Sequence, residues 1–156
     1  MKLLAQLAAA FDNRSAPENV VSPDHPDTYE YQEALHFEAV DWRNTTCDEW
    51  QEYADSIYSF LPEAFCYFLP GILSAEIKEG RPDLLLTSAL LNMLDRSPNK
   101  DTWDTFFIER WLLLTVEECQ AVQQWILWLA DQKIGLDDDA LMRAYETLEM
   151  LAATRC

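Results

Sequence analysis

A chain of 156 residues is long enough to bury roughly two-thirds of its unfolded surface within one domain. Apolar residues make up 49% of it, with six Trp, seven Phe and six Tyr, which excludes a globally disordered chain. The net charge of −17, from 28 acidic against 11 basic residues, excludes a surface made for nucleic acid or anionic membrane and favours basic partners.

Three glycines (Gly71, Gly80, Gly135) are too few for an all-β chain with many tight turns, and Leu, Ala, Glu and Gln are abundant, so the expected class is all-α. Leu3, Leu4, Leu7 and Phe11 recur at helical spacing and predict an amphipathic helix over 2–11. Its single Lys and the interrupting Gln6 favour that helix over a signal peptide. Pro17, Pro23 and Pro26 make 13–27 a surface loop, pinned by Val20-Val21. A helix over 28–37 follows, with Tyr31, Ala34 and Leu35 inward and Glu30 and Glu33 facing water. Asp41-Trp42 reads as a connector anchored by its Trp. Thr46 with Glu49 three residues on is a capping box, opening a helix to about residue 56.

The chain then reaches the stretch that the fold is organised around, Phe60-Leu-Pro-Glu-Ala-Phe-Cys-Tyr-Phe-Leu-Pro-Gly71. Aromatics at this density require burial. Pro62 suits the first turn of a helix, where its missing N–H costs nothing. Pro70 is expected to end or kink that helix and start a second over 71–79. Further helices are expected over 83–95, then from a cap at Asp101 or Thr102 through Trp111. A second capping box, Thr115 with Glu118, opens a helix to about residue 132, and the last helix begins at Asp137. The expectation is a single irregular all-α domain over 1–156, of about seven to eight helices around a Pro-kinked aromatic pair.

The chain shows no catalytic signature. It has no Gly-x-Ser-x-Gly, no Gly-rich phosphate loop and no His-x-x-x-His pair. His25 with Asp24 and Asp27 offers donors for a metal, but a solvated loop histidine accounts for it, so no metal and no cofactor are expected. Cys47, Cys66, Cys119 and Cys156 are widely spaced, without Cys-x-x-Cys. They read as free thiols in a reducing, cytoplasmic compartment. No apolar run is long enough to span a bilayer.

The charge is unevenly spread. Residues 18–63 carry twelve carboxylates and one base, Arg43, which is −11 of the −17. Asp48, Glu49, Glu52 and Asp55 fall on one helical face, where like charges cost the helix tenths of a kcal/mol each. The plain account is a solvated face over core rings. The functional account is a docking face in which Asp41, Trp42, Asp48, Glu49, Trp50, Glu52 and Asp55 meet a Lys- and Arg-rich partner by ion pairing and cation–π contact.

The order of features also carries a resemblance. Tyr29-Glu-Tyr-Gln-Glu-Ala34, then Asp41-Trp42, the acid-capped helix, the Phe60–Pro70 stretch and Leu114-Thr-Val-Glu-Glu118 resemble a family of small bacterial helical proteins. Its shared stretch is Phe-Leu-x-Pro/Glu-Ala-Phe-x-Tyr-Tyr-Leu-Pro. The likeness spans roughly residues 28–132, and its motifs are structural. It is loosely similar to members of toxin–immunity loci and supplies no binding residue. Charge and resemblance together lead to the expectation of a non-enzymatic immunity protein that covers the active site of a basic toxin, a nuclease above all. Two alternatives belong to other classes: an acidic regulatory or DNA-mimic binding protein, and a hydrolase with an unrecognised site. Oligomeric state is not readable from the sequence.

Overall fold

The computed structural model describes residues 2–24 and 28–154. Eight α-helices follow one another: α1 (Lys2–Phe11), α2 (Tyr29–Leu35), α3 (Cys47–Glu52), α4 (Pro62–Glu79), α5 (Leu85–Leu94), α6 (Thr105–Trp111), α7 (Val116–Gln132) and α8 (Asp138–Thr154). Short 3-10 turns lie at Trp42–Asn44, Ala54–Tyr58 and Lys100–Thr102, and the described residues contain no strand.

The axis of the fold is α4. Every residue from Ala64 to Ile77 is buried. Packed around it are α1, α3, α6 and the Trp42–Asn44 turn, while α7 lies against α1 and α8, and α8 reaches back to α5. Pro62 occupies the first turn as expected, and Gly80, at φ 65°, ends the helix in the left-handed region. Pro70 does not divide the segment; it sits inside one continuous helix, where two helices were expected. A mid-helix proline costs about 3 kcal/mol. Each buried large apolar side chain returns about 1.5–3 kcal/mol, and Phe65, Phe68, Leu69, Ile72 and Leu73 are all within 2% of full burial. Burial therefore outweighs the break.

Gly71, next to Pro70, is where the Trp42–Asn44 turn crosses α4. A Cβ there would stand 2.9 Å from the Thr45 hydroxyl and 2.9 Å from the Trp42 carbonyl oxygen. The glycine is required by this close approach. Thr45 donates its hydroxyl to that carbonyl at 2.8 Å, which closes the turn on itself where it meets the helix.

The N-terminal segment is tied down as the sequence implied. Leu7 and Phe11 are fully buried, Val20 and Val21 nearly so, and the N–H of Leu61 donates to the Val20 carbonyl at 2.8 Å. Arg14 makes a two-pronged contact with Glu118, at 2.6 and 2.8 Å, and a third bond to the Leu113 carbonyl. Both capping boxes form, at Thr46–Glu49 and Thr115–Glu118. The cap of α6 is Asp104, whose carboxylate accepts from the Phe107 N–H; Asp101 and Thr102 belong instead to the preceding 3-10 turn, capped by Asn99.

Candidate protein-binding face

The acid-rich segment folds as α2, the Trp42–Asn44 turn, α3 and the Ala54–Tyr58 turn. Its inner side is aromatic. Phe37 stacks on Trp50 with centroids 4.2 Å apart and meets Phe60 and Phe68 at 5.8 and 5.5 Å. His36 stacks on Tyr53 at 3.9 Å. These rings hold α2 against α3 and both against α4.

This packing settles the position of the two tryptophans expected at a partner surface. Trp50 is 0% exposed and Trp42 is 3% exposed, so both are core residues. One face of Trp42 is already covered by the Arg43 guanidinium, 4.5 Å from the ring centroid. The cation–π contact expected from a partner is made within the chain. Tyr53 is half-buried under His36.

The carboxylates divide into two groups. Asp41 caps the Trp42–Asn44 turn by accepting from the Arg43 N–H at 2.9 Å, and Arg43 also reaches Asp41 and Asp12. Glu49 closes its capping box and pairs with His36 Nε2 at 2.8 Å. Asp48 pairs with Arg81 at 2.7 Å. These three are engaged locally.

Glu52 and Asp55 are exposed and make no ion pair among the described residues. They do not continue the helical face of Asp48 and Glu49, because α3 stops at Glu52. Tyr53, at φ −109° and ψ 38°, breaks the register and starts the Ala54–Tyr58 turn. That turn packs along α2 and brings Asp55 beside Glu33. Burial, the Asp55 charge and the Glu30 charge hold the Glu33 carboxyl above its ordinary range, against a stabilising bond from the Asp55 backbone. The uncompensated acidic patch is therefore Glu30, Glu33 and Asp55, with Glu52 nearby in the chain. Glu30 and Glu33 were assigned only to water from the sequence. Their i, i+3 spacing on α2 was visible, but the proximity of Asp55 depends on a break in α3 that no local signal announces.

The basic side chains are largely occupied. Arg14, Arg43, Arg81, Arg96, Arg110 and Arg143 each lie in an ion pair. Among the described residues no group of three His, Cys, Asp or Glu side chains could hold a metal ion, and His25 and Asp27, for which a solvated loop was expected, lie outside those residues. Cys47 and Cys66 are buried free thiols, and Cys119 is buried as well. Burial pushes Cys47 and Cys66 up to about 12, so neither is a thiolate at neutral pH. No described helix is long and apolar enough to cross a membrane. No protein-family model, curated protein or solved structure matches the chain.

Proposed function

We propose that this protein acts by binding a basic protein, as an immunity protein does when it covers the active site of a toxin. The observation that carries the reading is the acid grouping of Glu30, Glu33 and Asp55 across α2 and the Ala54–Tyr58 turn, where like charges crowd without a cation. Like-charge crowding of this kind opposes the fold, offset at Glu33 by one bond from the Asp55 backbone, while the negative field draws a basic partner and speeds its encounter. The arginines support the same reading, because six of them are already paired with other carboxylates and the chain still carries a net −17. A nuclease is the favoured toxin class, since its groove for phosphates is itself basic. The chain contributes no catalytic step in this reading.

The test is affinity capture at low salt with the wild-type chain and with a variant carrying E30Q, E33Q, E52Q and D55N. The expected result is one basic protein held in equimolar amount, released by salt and lost from the variant, whose own activity is suppressed when the acidic chain is added back. Capture that ignores both salt and the four substitutions would overturn the reading.

A further inference from the structure

We infer that the groove between α7 and α8 docks a basic amphipathic helix of a partner protein. Leu127 and Ala130 on α7 face Leu141, Met142 and Tyr145 on α8 across a cavity of about 350 Å³, with Asp138 at its edge. Leu127 is 46% exposed and Met142 57%, so the walls of the groove are large apolar side chains left in water. The two helices are fixed to one another: the Gln123 side-chain amide donates to the Tyr145 carbonyl at 3.2 Å. The groove is thus a standing feature between rigid helices.

Its rim selects the occupant. Asp138, Met142, Tyr145 and Glu149 follow one another at spacings of four, three and four, so they share one stripe of α8. Asp131 follows Leu127 by four on α7, and Asp131, Asp138 and Glu149 are all exposed. Arg143 is directed away, to Asp95 at 2.6 and 3.1 Å. Lys133, which caps the end of α7, lines the adjoining cavity with Asp138 and is one positive charge against the three acids of the rim. An apolar floor inside an acidic margin matches a helix with one apolar stripe flanked by Lys or Arg, the helix-in-groove mode of recognition. A methionine on the wall suits it, since its side chain repacks around varied partners.

A second copy of this chain is a poor occupant. Two-fold contact would set the acidic margin of one groove against the same margin of the other, in a chain already carrying −17. The groove is built from helices other than those bearing Glu33 and Asp55, and the inference does not depend on that face.

The experiment titrates the full chain into a fluorescein-labelled Leu/Lys amphipathic peptide at physiological salt and reads anisotropy. The comparison peptides are the same composition scrambled and a Leu/Glu peptide with the same apolar stripe. The expected result is saturable binding of the Leu/Lys helix, weakened about tenfold or more by L127Q/M142Q, the loss typical of central apolar anchors. D138N/E149Q should weaken binding and flatten its salt dependence, and E33Q/D55N should leave it unchanged. Leu127 and Met142 are exposed, so an unaltered thermal melt is expected of their variant; the rim variant reads the same groove independently. Absence of binding, equal binding of the scrambled peptide, or indifference to L127Q/M142Q would overturn the inference. So would a concentration-dependent dimer abolished by L127Q/M142Q, which would assign the groove to a second copy.

Discussion

The indole Nε1 of Trp125 on α7 donates a 2.8 Å hydrogen bond to Oε2 of Glu76 on α4, and neither residue meets solvent. The Thr87 hydroxyl on α5 is paired with the other carboxyl oxygen, so three helices join at one acid. Burial pushes the Glu76 carboxyl up to about 8, against the pull of both hydrogen bonds, and the charge of Asp83 adds to the rise. Glu76 is accordingly protonated at neutral pH.

Stability should therefore depend on pH through Glu76. An unfolded glutamate ionises near about 4.3, whereas the folded one holds its proton to about 8. Between these values the native state binds one proton more than the unfolded state. Stability then falls as pH rises, by at most about 1.4 kcal/mol per unit, and levels off above pH 8. Glu76→Gln removes the ionisable group and keeps an oxygen for the Trp125 N–H, while its amide NH2 faces the Thr87 hydroxyl, which can turn to accept. The difference between wild type and E76Q in urea unfolding should be smallest near about pH 4, below the unfolded pKa, and should grow towards pH 8 in favour of the variant. Parallel profiles would show that Glu76 is ionised in the fold.

Gly71→Ala tests the crossing of the Trp42–Asn44 turn over α4. Helix propensity alone would gain about 1 kcal/mol. The added methyl would meet a backbone carbonyl and a hydroxyl at 2.9 Å, and the Trp42 Cβ at 3.1 Å. Overpacking of this kind costs about 1–3 kcal/mol. Because a backbone atom must move, the clash should win. The melting temperature should drop by about 2–5 °C, with a change in Trp42 fluorescence. A rise in melting temperature would mean that the turn yields freely.

Much of this architecture was legible because its signals are local. Thr46–Glu49 and Thr115–Glu118 are reciprocal bonds within four residues, and both capping boxes form. Of the stripe Leu141, Ala144, Tyr145, Leu148 and Leu151 on α8, Tyr145 is half-buried and the other four are buried, as the helical period requires. The misses are non-local. Pro70 carries a strong local stop signal, which the burial of its neighbours from Ala64 to Ile77 overrides. The expected docking face depended on one unbroken helix through Asp55, and Tyr53 ends that helix when it stacks on His36. Trp42 and Trp50 illustrate the common fate of aromatics near acids, which is burial.

Arg14→Ala should unfasten the segment that follows α1 from the start of α7. Its guanidinium binds both oxygens of Glu118 and the Leu113 carbonyl, and so joins the segment after α1 to the start of α7. Glu118 has a side chain only 2% exposed. It would retain the Thr115 N–H as a donor but lose its counter-ion. Removing one partner of a buried pair costs about 3–5 kcal/mol; the partial exposure of Arg14 and the retained bond place the expected loss nearer 2–3 kcal/mol. Denaturant unfolding measures it. Arg14→Lys should recover only part, because an ammonium cannot reproduce the two-pronged contact.

The acidic face predicts opposite changes in stability and binding. The Glu33 carboxyl is held above its ordinary range by burial first and by Asp55 and Glu30 next, so its ionised form is disfavoured in the fold. At neutral pH that ionised form works against folding, and Glu33→Gln removes the penalty while keeping an oxygen for the Asp55 backbone. Asp55→Asn removes the opposing charge from the other side. Either change should raise stability by a few tenths of a kcal/mol, the scale of exposed like-charge pairs. If the patch serves only solubility, that small gain is the whole effect. If it receives a basic partner, the same substitutions should slow association and reduce its dependence on salt, with little change in dissociation. Stopped-flow association at two ionic strengths, beside a thermal melt, separates the two cases: a stabilised variant that associates more slowly identifies the patch as a binding surface maintained against the interest of the fold.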